Sequence, residues 1–331
     1  MRISQAVDAL ERYWELKHPC MLWGPPGSAK TSIVKQFAER NGLEYLPRYL
    51  GYYDQTEIRG LPLINDGVSD YADPKWFPRS GKGVIFLDDF VQAPPSVMNV
   101  ASELLLERRI AEMRLPDGWY VCAAGNPRQY RAGTFEMPSQ VRNRLAHINV
   151  EPHINDFRDH AEQAGFNQDV IAFLRYRTEL LNKWDPVNPA FPTSRTWETV
   201  SRIYNDADNG NPIDRVDEFE LIGGVIGEPA AVELIAFRRV KSELPSIERI
   251  LADPKNAPVP GHDKPSAQWA IAMMLANLTT KKNIDAIVEY LGRLPAEFQV
   301  LTMRDIQRRD QSLMSTKAFV DWAAKNKSIV L

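Results

Sequence analysis

The stretch Trp23-Gly24-Pro25-Pro26-Gly27-Ser28-Ala29-Lys30-Thr31-Ser32 places glycines, prolines, a lysine and hydroxyls at the spacing of a phosphate-binding loop. The backbone amides of the loop and the N-terminus of the helix that follows would surround a β-phosphate. Lys30 would reach the β- and γ-phosphates, and the Thr31 hydroxyl would bind Mg²⁺. Ala29 stands where the generic G-x-x-x-x-G-K-[ST] pattern has its second glycine. Because Ala29 opens a helix, a negative φ is expected there, which alanine tolerates. ATP and Mg²⁺ are therefore the expected ligands. A plain Gly-Pro turn is the competing reading, and the strand before the loop and the helix after it weigh against that.

A second chemical feature lies in Gly83-Val84-Ile85-Phe86-Leu87-Asp88-Asp89, where an apolar strand ends in two carboxylates. In open α/β sheets ligands bind at that end of the strands. Asp88 would hold Mg²⁺, usually through water, and Asp89 would polarise an attacking water. Many enzymes of this type have glutamate at the second position, and aspartate is one methylene shorter. Cys20 and Cys122 sit in apolar stretches without metal-ligand spacing, so buried reduced thiols are expected. His153 and His160 have no cysteine or carboxylate partner at a zinc spacing, which favours surface or capping roles.

The elements that must position these groups alternate. Strands are expected at 19–23, 44–50, 83–89, 119–125 and 146–150, with helices at 29–41, 94–107 and just before Arg144. Such alternation implies a parallel sheet covered on both faces, an α/β fold. After Pro152 helical periodicity takes over, and the Pro- and Asp-rich segment 251–267 reads as a linker. Three parts are thus expected: an α/β nucleotide-binding domain at 1–152, a helical domain at 153–252, and a linker with a C-terminal helical extension at 253–331.

The 331 residues are 44% hydrophobic, enough for a sizeable core, and the formal charge of -3 gives no overall attraction to nucleic acid or to anionic membranes. The first 19 residues read as an amphipathic helix with Ile3, Val7, Leu10 and Trp14 on one face rather than as a signal peptide. No segment approaches the ~20 apolar residues of a membrane span, so no membrane association and a cytoplasmic location are expected.

Together "GPPGSAKT", the acidic strand followed by "QAPPSVMNVASELLLERRI", "AAGNP" and "PTSRTWE" resemble the AAA+ ATPases, and within them the MoxR branch, whose loops often carry alanine before the lysine. The likeness runs in the family's order from residue 1 to about 205. It implies a P-loop NTPase sheet followed by an all-helical lid. Asn126 resembles sensor 1, Arg195 resembles sensor 2, and Arg144, with Arg142 as the second choice, resembles the arginine finger given to a neighbouring subunit. It also implies a homo-oligomeric ring, most often a hexamer, a protein client, and a partner with a von Willebrand factor A domain. Segment 108–121 is similar to the hairpin that precedes sensor 1, with its turn expected at Pro116-Asp117-Gly118. In segment 51–67, Tyr52 and Tyr53 fit a pore-facing insertion, an ordinary surface loop or packing against the sheet edge.

The leading expectation is an Mg²⁺-dependent ATPase that remodels a client. A DNA- or RNA-acting motor or loader is kept open by Lys281-Lys282 and Arg308-Arg309, and a nucleotide-gated scaffold with weak hydrolysis by Asp89.

Overall fold

The computed structural model describes residues 1–130, 135–213, 217–242 and 244–326. By its contacts the chain divides into two compact units: Met1–Ala164 with Leu180–Glu198, and Gly165–Glu179 with the described residues from Thr199 on.

The first unit opens with Ile3–Glu15 (α1), Cys20–Trp23 (β1), Lys30–Arg40 (α2) and Glu44–Tyr49 (β2). Gln55–Arg59 (α3) and the antiparallel pair Leu61–Asn65 (β3) and Val68–Ala72 (β4) follow. Gly83–Asp88 (β5), Pro95–Glu107 (α4), the short pair Arg109–Ile110 (β6) and Met113–Arg114 (β7), and Trp119–Gly125 (β8) come next. Ser139–Arg142 (α5), Ala146–Asn149 (β9) and Ile154–Gln163 (α6) complete the run. Five strands form one parallel sheet in the order β2-β5-β8-β1-β9. Since they all run the same way, Tyr49, Asp88, Gly125, Trp23 and Asn149 end at one edge.

Strand side chains alternate between faces, and here both faces are apolar, as a sheet covered on both sides requires. Leu22, Val84, Phe86, Cys122 and Ile148 pack with Leu10 of α1 and Ile33 and Phe37 of α2. Met21, Ile85, Leu87, Val121 and Ala123 pack with Val97, Ala101 and Leu104 of α4 on the opposite side. Each such Val, Leu, Ile, Phe or Met side chain, withdrawn from water, contributes roughly 1.5–3 kcal/mol. Phe37, fully buried, is the ring on which α2 and hence the start of its helix depend; truncating it to alanine costs about 3–5 kcal/mol. Cys20 and Cys122 are buried free thiols, in register on β1 and β8.

One local feature differs from expectation, and a second falls among the alternatives left open for it. The hairpin in 108–121 turns at Ala111-Glu112, between the paired Ile110 and Met113, with Ala111 left-handed at φ 50°, while Pro116 to Gly118 form a separate turn in which the Trp119 amide donates to Pro116 O at 3.0 Å. Segment 51–67 contains α3 and β3, its Tyr52 is 86% exposed, and Tyr53 packs against the core under the sheet.

The second unit contains Gln168–Tyr176 (α7), most of Ser194–Asp208 (α8), Glu218–Ile226 (α9), Glu228–Ser242 (α10), Ile247–Ala252 (α11), Pro265–Leu278 (α12), Ile284–Leu291 (α13), Ala296–Arg309 (α14) and Lys317–Lys325 (α15). Its interior carries Arg238, which lies over the Tyr204 ring at 3.7 Å and pairs with Asp169 at 3.1 Å and Glu218 at 3.2 Å. The expected borders at residues 152 and 252 are not where contacts divide the chain. Helix α6 stays with the first unit through Asp156, whose Oδ2 accepts the Ile3 amide at 2.9 Å, and residues 180–198 return to that unit. No helix among the described residues is long and apolar enough to cross a membrane.

Candidate functional site

The loop between β1 and α2 is shaped by its prolines and glycines. The Ser28 amide donates to Pro25 O at 3.2 Å, closing a β-turn with Pro26 and Gly27 at its centre. Proline at the first central position and Gly27 at φ 72° fit a type II turn. A side chain at Gly27 would be strained by that φ, and its Cβ would lie 2.7 Å from the Thr193 Cβ. Gly24 is equally confined, because an added Cβ would meet Ser28 Oγ at 2.4 Å and Val150 O at 2.9 Å.

Ala29 precedes α2 in the left-handed region, at φ 63° and ψ 23°, not at the negative φ expected from its place before a helix. An N-cap residue ordinarily has extended backbone; here the chain must turn back sharply so that Lys30 folds over the loop it has just left. The conventional glycine at this position meets that requirement without strain, and alanine meets it at a cost of roughly 1–2 kcal/mol.

Lys30 is 8% exposed, and its ammonium donates to Gly24 O at 3.0 Å, Pro25 O at 3.1 Å and Asn126 Oδ1 at 2.7 Å. Those three acceptors match the three donors of an ammonium. Burial pushes the Lys30 pKa down to about 8, against the opposing pull of the carboxylates of Asp88 and Asp89. Thr31 Oγ1 donates to Asp88 Oδ2 at 2.8 Å, so the hydroxyl at the start of α2 and the carboxylate at the end of β5 meet across the sheet edge. This pair of hard oxygens suits Mg²⁺. Asp88 Oδ1 accepts the Asp89 amide at 3.0 Å, and Asp89 itself is left-handed at φ 55°. Its carboxyl pKa is raised, first by burial and then by the Asp88 charge, while Lys30 and Arg195 act the other way.

Lys30, Thr31, Asp88, Asp89 and Asn126 therefore converge at one edge, and Arg195, exposed on the first turn of α8, acts electrostatically on both Lys30 and Asp89. Thr193 caps that helix: its Oγ1 accepts the Thr196 amide at 3.2 Å, and Thr196 Oγ1 accepts the Thr193 amide at 2.7 Å. Ser28 is buried in the loop and Ser32 is exposed on α2. Arg142 and Arg144 are exposed at α5, where Arg144 pairs with Glu107 at 3.1 Å. The Arg142 carbonyl accepts from His147 Nε2 at 2.8 Å, and His147 Nδ1 accepts from Trp23 Nε1 at 2.8 Å. His153 caps α6 by accepting the Asn155 amide at 3.2 Å, and no metal-binding cluster of His, Cys, Asp and Glu occurs among the described residues. Sequence reasoning missed Asn182, whose Nδ2 donates to Pro26 O at 2.9 Å, and the seat of Thr193 against Gly27. Asn182 belongs to no motif, and Thr193, although it lies in PTSRTWE, gives no sign in sequence that it reaches Gly27.

A parallel sheet in this order, with a glycine-rich loop leading from β1 into α2, an acidic strand end on β5, and the asparagine-ending β8 between them, defines a P-loop nucleotide-binding fold. Residues 19–145 match the AAA domain family, dynein-related subfamily. Midasin of Dictyostelium discoideum is 29% identical over 154 residues, which are 41% of this chain and 2% of midasin. NtrX of Brucella abortus in complex with ADP is 15% identical, covering 99% of this chain and 68% of that one at a TM-score of 0.42. A RuvB mutant of Thermotoga maritima is 12% identical, covering 75% of this chain and 72% of that one at 0.37.

Proposed function

We propose that this chain is a MoxR-like AAA+ ATPase that hydrolyses Mg²⁺-ATP at the interfaces of a homo-oligomeric ring, a hexamer in the usual form of such rings, and uses the cycle to remodel a protein client with a von Willebrand factor A-domain partner. The observation that carries the reading is the convergence on one pocket of a buried ammonium, a hydroxyl–carboxylate pair and a polar side chain: Lys30 with Asn126, and Thr31 with Asp88. Lys30 binds the β- and γ-phosphates, giving up its bonds to the loop carbonyls as the anion replaces them. Thr31 and Asp88 hold Mg²⁺, which supplies charge neutralisation at the phosphates when bound. Asn126 orients water at the γ-phosphate, Asp89 polarises it, and Arg195 stabilises the phosphates from α8. Arg144 or Arg142 supplies the trans arginine, consistent with their exposure.

A second reading, a scaffold that binds nucleotide and hydrolyses little, is favoured by Asp89. Its side chain is one methylene shorter than the glutamate usual at this position, which holds its carboxylate further back from an attacking water. One experiment separates the readings: turnover of Mg²⁺-ATP by the assembled chain, beside Lys30→Ala and Asp89→Asn. A motor turns over steadily and loses that activity in both variants. Tight ATP binding that depends on Lys30, with turnover unaffected by Asp89→Asn, would refute the motor and leave the scaffold.

A further inference from the structure

The carbonyls along the phosphate loop point in two directions. Those of Gly24 and Pro25 face the Lys30 ammonium, whereas that of Pro26 accepts the Asn182 side-chain amide at 2.9 Å. Asn182 and Pro26 are 156 positions apart and belong to the same compact unit. The Pro26–Gly27 peptide is the central plane of the type II turn, and a turn of this kind has a specific weakness. Rotating that one plane by roughly half a turn converts type II to type I with little movement of the flanking residues. Proline fixes φ at Pro26 but leaves its ψ free, and Gly27 accepts either sign of φ, so the loop's own residues do not resist the flip.

We infer that Asn182 is a positioning residue for the phosphate loop, holding the Pro26–Gly27 peptide in the orientation that presents the Gly27 N–H to the terminal phosphates of a nucleoside di- or triphosphate. In a trans peptide the C=O and N–H point to opposite sides, and the chain has no cis peptide among its described residues. Anchoring Pro26 O on Asn182 therefore aims the Gly27 N–H away from Asn182. Without the anchor the flipped plane turns a carbonyl where a donor is needed, and a carbonyl repels an anion. Thr193, seated against Gly27, closes the same side of the turn. This inference rests on the nucleotide-binding reading above.

The test is binding of ADP and of inorganic pyrophosphate to the full chain, by calorimetry, with Asn182→Ala, Asn182→Asp and Lys30→Ala beside the wild type. Asparagine to alanine removes one neutral hydrogen bond, and affinity for ADP and for pyrophosphate is expected to fall by the same factor, about twofold to tenfold. Asn182→Asp keeps the size but cannot donate, and its charge adds to the repulsion, so it is expected to bind more weakly than Asn182→Ala. In steady-state turnover KM for ATP rises by the binding factor, and kcat changes by a smaller one. A general loss of structure would instead lower the nucleotide-free melting temperature and kcat together. Wild-type affinity in Asn182→Asp, or a loss of ADP affinity with pyrophosphate affinity untouched, overturns the assignment to Asn182. If the wild type and Lys30→Ala both fail to bind either ligand, it is the nucleotide-binding reading that falls.

Discussion

Replacing Lys30 with methionine tests whether the phosphate lysine is held at an energetic cost. Methionine keeps the length and the packing of the stem and removes the proton. Folded Lys30 titrates at about 8 because burial disfavours its charge, against 10.5 for a lysine in water. The gap corresponds to about 3 kcal/mol at 1.36 kcal/mol per unit. The sign is fixed by which state holds the proton. Below about pH 8 both states are protonated and the folded chain bears the full cost of burying the charge. Between about 8 and 10.5 the unfolded chain keeps its proton while the folded chain releases it, so stability rises with pH, and above that range the cost is gone. Urea unfolding of the nucleotide-free chain should therefore give a wild-type minus Lys30→Met difference that grows by about 2 kcal/mol from pH about 7 to about 9.5. Losing the bonds to Gly24, Pro25 and Asn126 offsets the difference by a constant and leaves its slope alone. A difference that stays flat within about 0.5 kcal/mol over that range would refute the desolvation argument.

Ala29 lies at φ 63°, so Ala29→Gly removes a left-handed strain of roughly 1–2 kcal/mol and adds about 0.4–1 kcal/mol of unfolded-state entropy. The net expectation is a stability gain of up to about 1.5 kcal/mol by chemical denaturation, whereas the same change in an ordinary helix start would destabilise. Arg144→Ala breaks only an exposed pair with Glu107, so folding stability should move by less than about 1 kcal/mol. Turnover should fall by orders of magnitude with ATP binding retained. Rings mixed from Arg144→Ala and Lys30→Ala subunits should regain activity at interfaces where a wild-type loop meets a wild-type arginine, and mixtures no more active than their parents would exclude a trans role.

Where candidate groups lie at the ends of expected strands, their meeting at one edge is legible in the sequence. The loop, Asp88 and Asn126 each sit at the end of an apolar strand, and strands that run parallel bring such ends to one edge whatever the details of packing. Three things were not legible, each for a different reason. The left-handed φ of Ala29 follows from Lys30 folding back onto Gly24 and Pro25, a tertiary demand that overrides the local preference of a helix start. The hairpin turn at Ala111-Glu112 carries none of the usual turn residues, so the turn signal in the sequence falls instead on Pro116-Asp117-Gly118, further along the chain. Asn182 lies in a stretch with no motif, and its link to Pro26 depends on residues 180–198 returning to the first unit.

Both strained non-glycine residues of the pocket, Ala29 at φ 63° and Asp89 at φ 55°, flank the groups that meet there, Lys30 and Asp88. Each left-handed residue costs roughly 1–3 kcal/mol and persists only where the surroundings over-determine it. Here the surroundings are identifiable: the Lys30 ammonium fixes the loop after Ala29, and the Asp88 carboxylate accepts the Asp89 amide and the Thr31 hydroxyl at once. A chain under selection for folding alone would shed both strains and the buried ammonium by single substitutions. Strain at 29 and 89, a desolvated charge at 30 and a turn that needs an outside anchor at Pro26 all favour an anion with a bound cation, because those ligands satisfy the donors and carboxylates that hold the strain in place. Asp89 leaves the end of β5 in this strained conformation. Its left-handed backbone sets the direction in which the shorter carboxylate leaves the strand end, so a glutamate placed there inherits that direction and reaches one methylene further along it.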